Sequence, residues 1–425
     1  MKNRALVNMA ARSAWLWRNR CAFGEDATGD RPRLLVDVSA IVRHDAQTGI
    51  QRVVRAVWSE LVRRKGDNFA LVPVYATESA GYCYAPRDFL GSPCAAFGVE
   101  PARIRPGDKF FALDLTSHLL PKYRRQLRAW KANGATVHLL VYDLLPLLRP
   151  DWFNSRTVRH FRRWYSVLVN DADQAICISD HVAGQLRARL RQSGSRGPNI
   201  ARIRLGGDIA ASRPSTGLCG QVSQLLERMR FRAAVVMVGT IEPRKGYDVA
   251  LPAFEQLWRT RSDAPDLVII GKAGWKTEAL QRRLRSHPEH GRRLHWLAQV
   301  SDEGLCRIYE SARGVLVASR AEGLGLPLVE AAMNRRYVLA RDLAVFREQQ
   351  LSNVIYFQDD DAEALGARLM DLVELAQSGA PPAVTAPTWN QCIDGLLLAL
   401  GFDSGENALP HWPAPETKVP LQAQS

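Results

Sequence analysis

Short apolar runs alternate with amphipathic stretches along most of this chain. From Leu34 onward, the runs at 34–38, 69–75, 109–114, 136–142, 174–178 and 201–205 read as strands. They are short, apolar and often β-branched. Between them, 50–65, 120–132, 153–169 and 180–191 carry apolar positions at helical spacing. A looser stretch over 206–230 contains Gly206, Gly207, Ser212, Pro214, Gly217 and Gly220, and reads as a linker. The pattern then restarts. Strands are expected at 234–238, 266–270, 294–297, 315–318 and 337–340, with helices near 247–260, 276–286, 302–312, 327–335 and 361–377. Such alternation implies α/β units in which helices cover both faces of a parallel sheet. Two units in series predict a ligand crevice at the carboxyl ends of their strands.

Composition narrows the class. A chain of 425 residues accommodates two domains of ordinary size. Its 46% hydrophobic and 24% charged residues suit a globular protein with a large core. No apolar stretch approaches the roughly 20 residues that span a bilayer, and the N-terminus lacks the apolar core of a secretory signal. Cytoplasmic residence is therefore expected. The seven cysteines form no Cys-x-x-Cys pair, which points to a reducing compartment and no structural zinc. The net charge of +14 calls for anionic partners. No RNA-binding fingerprint or zinc-finger spacing occurs, so nucleic acid is not expected. Residues 1–32 hold Lys2, Arg4, Arg12, Arg18 and Arg20 before the first acid, Glu25. Leu6, Val7, Ala10, Ala14 and Trp17 recur near helical spacing there. The extension suits either a helix on an anionic membrane surface or a tail with no role.

The richest chemistry lies in Ser319-Arg-Ala-Glu322-Gly323-Leu324-Gly325-Leu326-Pro327-Leu-Val-Glu330. An apolar strand precedes it, and a helix with Pro327 at its first position follows. Glycines let backbone approach a ligand closely, and the free N–H groups of a helix start favour phosphate. Carboxylates repel phosphate, so Glu322 and Glu330 suit sugar hydroxyls on the same ligand. Arg244 and Lys245 sit in a second strand-to-helix turn, where they offer a fork of donors and a point charge to an anionic ligand. The implied ligand has phosphate in its middle and polyols at both ends.

This segment resembles the Glu-x7-Glu motif of retaining, GT-B-fold glycosyltransferases of family 4. Other pieces match in order: Val36-Asp37-Val-Ser39 with Thr48-Gly49-Ile-Gln-Arg52-Val, Tyr142-Asp143-Leu-Leu-Pro146, Cys177-Ile-Ser179-Asp, Val238-Gly239 through Gly246, Ile270-Gly271 through Trp275, and Leu297 through Leu305. The resemblance covers roughly residues 33–400. It implies two Rossmann-like, doubly wound parallel-sheet domains facing a central cleft. Their expected extents are 33–210 for the acceptor domain and 231–385 for the donor domain, joined by 211–230, with a helix over 386–401 crossing back and a disordered tail at 402–425.

The implied activity is metal-independent, retaining transfer of a hexose, mannose or similar, from a nucleotide-sugar such as GDP-mannose to a surface polysaccharide or lipid-linked glycan. The resemblance implies no cofactor. Glu322, Asp143, Lys245 and Arg244 are the implied catalytic groups. Gly49, Arg244, Lys245, Gly323, Leu324, Gly325, Leu326 and Glu330 are the implied donor contacts. Arg52, one helical step beyond Gly49, reaches either phosphate or solvent. Tyr142 stands where many relatives carry a histidine, so the catalytic base is open: Asp143 takes that role, or the leaving phosphate oxygen deprotonates the acceptor. Asp171-Ala-Asp173 and Asp359-Asp360-Asp361 are read as structural rather than metal-binding, the latter as a helix cap. A nucleotide-sugar epimerase, or a non-catalytic module that binds a partner or membrane, are the competing readings.

Overall fold

The computed structural model describes residues 31–45, 48–64, 68–86, 88–90, 99–379, 381 and 383–402. The N-terminal extension, apart from its last two residues, and the tail beyond residue 402 lie outside them.

In the first lobe, β1 (Arg33–Asp37), α1 (Ser39–Arg43), α2 (Gly49–Arg63), β2 (Ala70–Ala76), β3 (Tyr82–Tyr84), β4 (Lys109–Ala112), α3 (Arg124–Ala132), β5 (Thr136–Val141), α4 (Leu145–Leu148), α5 (Ser155–Asp171), β6 (Gln174–Cys177), α6 (Asp180–Gln192) and β7 (Asn199–Arg202) follow in order. Then come α7 (Gly220–Met229), β8 (Ala234–Val238), α8 (Tyr247–Thr260), β9 (Asp266–Ile270), α9 (Glu278–Arg285), β10 (Leu294–Leu297), α10 (Asp302–Ser311), β11 (Gly314–Val317), α11 (Leu326–Met333), β12 (Val338–Arg341), α12 (Ala344–Arg347), β13 (Val354–Phe357), α13 (Ala362–Ser378) and α14 (Trp389–Ala399).

The strands form two sheets, ordered β3-β2-β1-β4-β5-β6-β7 and β10-β9-β8-β11-β12-β13. This is the expected pair of doubly wound sheets, with two corrections. The first sheet is mixed, because β3 pairs antiparallel with β2 at the edge. The last strand of that lobe begins two residues earlier than its apolar pattern suggested, since Ile203 and Leu205 are buried beyond the ladder. Within the presumptive linker, α7 buries Val222, Leu225 and Met229. Helix α14 starts with a Thr388–Gln391 capping box and packs on α2 and β7 of the first lobe.

Strand alternation sorts the core of the second lobe. Val236, Val268, Ile270, Val315, Val317 and Val338 belong to a cluster continuous with the first lobe. Val235, Met237, Leu267, Ile269, Leu316 and Leu339 face a separate cluster under α8 and α13. A period of two thus buries both faces. The continuous cluster joins the lobes and positions their facing strand ends.

At the carboxyl ends of β1 and β4 lies a buried polar knot. Asp37 accepts hydrogen bonds from the Ser39 amide at 2.9 Å and from Tyr82 Oη at 2.9 Å. Asp114 Oδ2 accepts the Ala40 and Ile41 amides, each at 2.8 Å. Burial, with repulsion from Asp37, pushes the Asp114 carboxyl up to about 7 from 3.8. A raised folded pKa means the folded chain holds a proton that the unfolded chain has released. Its stabilising contribution is complete below about 3.8 and is lost as pH rises through about 7. Asp114→Asn keeps the acceptor oxygen and removes that slope. In urea unfolding it is expected to stabilise the chain near pH 8 by about 1–4 kcal/mol relative to wild type, with little difference near pH 4.

Candidate active site

Adjacent parallel strands bring the site together. β8 and β11 are neighbours, so the turns that follow them meet at one end of the sheet. After β8, the turn Pro243–Lys245 reaches Gly246, whose φ of 72° favours glycine, and then α8. A Cβ at Gly246 would lie 2.2 Å from the Ala318 carbonyl oxygen, so the two turns touch through backbone. After β11, Gly325 adopts φ 93° and α11 begins with Pro327 in its first turn. Strand order jumps between β8 and β11, the switch point where doubly wound sheets bind ligands.

Glu322 is the hub. Lys245 Nζ lies 2.5 Å from its Oε1, Ser319 Oγ donates to the same oxygen at 2.8 Å, and Arg244 Nη1 donates to Oε2. Arg244 also reaches the Ala321 carbonyl at 3.2 Å and Glu242 Oε1 at 2.8 Å. Burial opposes charge on Glu322, but Arg244 and Lys245 outweigh it and hold the carboxyl down to about 2. Glu242, buried beside the same cations, is raised because desolvation exceeds their attraction.

The first lobe meets this hub directly. A Cβ on Gly323 would lie 1.9 Å from the Tyr142 carbonyl oxygen and 3.2 Å from Asp143 Cβ. Ser179 Oγ, which also caps α6, donates to the Gly323 carbonyl at 2.7 Å. Burial raises the Asp143 carboxyl, with Arg244 the strongest opposing charge. Asp143 also accepts the Leu145 amide at 2.9 Å, so it caps its own turn as well as facing the cations. Tyr142 sends its hydroxyl back to the Leu113 carbonyl at 2.8 Å, away from that role. A Cβ on Gly49 would lie 3.6 Å from Leu326 Cδ1, so the starts of α2 and α11 face each other across the lobes. Leu324 is buried beneath the turn.

Glu330 lies on α11, one turn beyond the glycines, and is 1% exposed. Its Oε1 accepts from Arg52 Nη1, and its Oε2 accepts from Tyr309 Oη at 3.2 Å. Arg52 Nη2 also lies 2.7 Å from Asp302 Oδ1. Arg52 is therefore held in an ion-pair cluster with the second lobe and is largely withdrawn from solvent, which excludes the second of the two sequence alternatives. Asp302 and Tyr309 carried no local signal, since their roles come from a pairing between lobes. Among the acidic strings, Asp171 pairs with Arg124 and Arg128, Asp173 accepts the Val137 amide at 2.8 Å, and Asp361 caps α13 through the Ala364 amide at 2.8 Å. These are structural roles.

Residues 231–380, which contain this hub, match the family described as glycosyl transferases group 1. The matched segment spans the second lobe from β8 to the end of α13. It is 37% identical over 377 residues to the serotype-specific mannosyltransferase WbdA of Escherichia coli, covering 87% of this chain and 45% of that protein. The chain thus spans about half the length of the curated relatives it matches first. The O-antigen chain mannosyltransferase B of Escherichia coli is 24% identical over 268 residues, covering 61% of this chain and 68% of that one. The solved structure of Anabaena Alr3699/HepE in complex with UDP and glucose superposes with a TM-score of 0.55 at 14% identity, covering 87% of this chain and all of that one. That likeness fixes the fold as GT-B. Two α/β lobes, each built on an essentially parallel sheet, place Arg244, Lys245, Glu322, Gly323 and Asp143 in one cluster, with Gly49, Leu326 and Glu330 along its flank.

Proposed function

We propose that this chain is a retaining, metal-independent hexosyltransferase that takes mannose or a similar sugar from a nucleotide-sugar, GDP-mannose first among candidates. The observation that carries this reading is the convergence of Arg244, Lys245 and Glu322 within hydrogen-bond reach, at the switch point and against the opposite lobe. Lys245 and Arg244 stabilise charge on the departing diphosphate, and the facing starts of α2 and α11 add amide dipoles. Glu322, held ionised, accepts hydrogen bonds from the transferred sugar. Glu330 accepts them from the nucleotide ribose. With Tyr142 turned away, the leaving phosphate oxygen takes the acceptor proton, and Asp143 supplies electrostatic support at the reacting face.

The relatives' names favour mannose and an O-antigen-type surface glycan as acceptor. A groove of about 440 Å³ between the lobes is lined by Phe153, Val158, Arg159, Arg162 and Lys276. Its cations suit an anionic group on a lipid-linked acceptor or an anionic membrane face. Among the described residues no helix is long and apolar enough to cross a membrane, and we assign the enzyme a peripheral position at the cytoplasmic face. The test incubates the chain, in EDTA, with GDP- and UDP-linked hexoses and mannan-type oligosaccharide acceptors. Acceptor-dependent release of GDP with retained anomeric configuration is expected. Absence of release from every donor overturns the reading.

A further inference from the structure

Arg52 belongs to the first lobe, yet both of its charged contacts lie on the second. Its two terminal nitrogens are divided between Glu330 and Asp302, and its Nε is buried with no partner among the described residues. Asp302 is itself fixed from the segment before α7, accepting the Ser215 amide at 2.9 Å and Ser215 Oγ at 3.0 Å. Burial works against the Arg52 charge, but Glu330 and Asp302 outweigh it and raise its pKa above the ordinary value. The guanidinium is a rigid fork, so a grip at both tips fixes its plane. That plane in turn fixes Glu330 Oε1, while Tyr309 fixes Oε2. A carboxylate has about four lone-pair sites, so these two bonds leave acceptor capacity for a vicinal diol.

We propose that Arg52 is the positioning residue for the ribose site: it reaches across the cleft to orient Glu330, so that recognition of the nucleotide's ribose is completed only when the lobes close. This inference rests on the proposed role of Glu330 and adds to it that the opposite lobe supplies the orienting cation. Nucleotide selection and lobe closure then become one event.

The test is calorimetric titration of the full chain with GDP and UDP, each against its 2′,3′-dideoxy counterpart. Wild type is expected to favour the ribonucleotide by about tenfold or more, since hydrogen bonds to a charged acceptor are lost in the analogue. In Arg52→Ala that preference falls to about threefold or less, while affinity for the dideoxy analogue changes by less than about threefold. A merely structural role would weaken both ligands together. Arg52→Lys keeps the charge but not the fork, and its preference is expected to drop by about threefold or more. It carries the test should the alanine variant unfold. A preference unchanged in both variants, yet abolished by Glu330→Ala, overturns the inference and leaves the proposed function standing. A wild type that binds neither diphosphate overturns both.

Discussion

Lys245→Ala is expected to lower kcat for sugar transfer by about a hundredfold to a thousandfold, the cost of removing one preorganised donor from a developing oxyanion. The ammonium is mostly buried, and its side chain lies against the Gly239 turn; a Cβ there would be 3.1 Å from Lys245 Cε. Its position is therefore set by backbone. Charge that grows on the leaving diphosphate gains more from a fixed cation than the bound donor does, so the loss falls on kcat more than on KM. A second effect follows from Glu322. Its carboxyl is held at about 2 by Arg244 and Lys245 together, and losing one cation lets burial push it back up. The wild type is expected to show no acid limb from Glu322 at any pH above about 3, whereas the variant's limb moves toward the ordinary carboxylate range. Steady-state rates against pH measure both. A kcat within about tenfold of wild type, with an unshifted acid limb, would remove Lys245 from the chemistry.

Sequence patterning carried the architecture because the elements that matter most are long or strongly apolar. Asp266–Ile270 is buried end to end and Ala234–Val238 at every residue but the last, as strands of a covered parallel sheet are. The elements that escaped the pattern are short. β3 has three residues at a sheet edge, α1 has five, and β13 reads Val-Ile-Tyr-Phe with only its last residue fully buried. Helix α7 was hidden by the flanking glycines, although its buried Val222, Leu225 and Met229 recur at helical spacing. The site divides on similar lines. Turn glycines, the proline of α11 and the Arg244-Lys245 pair are local signals, and the sheet order alone brings them together. The Arg52 clasp and the knot that ties Asp37 to Tyr82 and Asp114 to Ala40 and Ile41 join residues far apart in the chain. No spacing rule encodes such pairings, because they depend on which strand ends face each other after folding. Glu330 shows the consequence. Its position on the first turns of a helix was legible, whereas the cation that fixes it comes from the other lobe.

Gly323→Ala should be the most damaging single-methyl change at the site. The added Cβ would lie 1.9 Å from the Tyr142 carbonyl oxygen, and both partners are backbone, so no flexible side chain can yield. The lobes must separate locally or the Glu322 turn must shift. Either response displaces Asp143 from Arg244 and breaks the 2.7 Å bond from Ser179 Oγ to the Gly323 carbonyl. A misplacement of about 1 Å costs about a hundredfold in rate when reacting groups must be aligned, and kcat is expected to fall at least that far. Overpacking of this kind costs about 1–3 kcal/mol in stability, read as a lowered urea midpoint. Gly246→Ala gives the contrast. Its clash, 2.2 Å from the Ala318 carbonyl oxygen, lies within the second lobe, and its φ of 72° adds strain. That change should weaken binding of the free nucleoside diphosphate, because it distorts the Arg244–Lys245 turn itself. Gly323→Ala should leave diphosphate binding within about tenfold of wild type while turnover collapses, because the contact it breaks is the one between lobes. Equal loss of binding and turnover in Gly323→Ala would show that the turn serves the second lobe alone, and that alignment with Tyr142-Asp143 is not what the glycine provides.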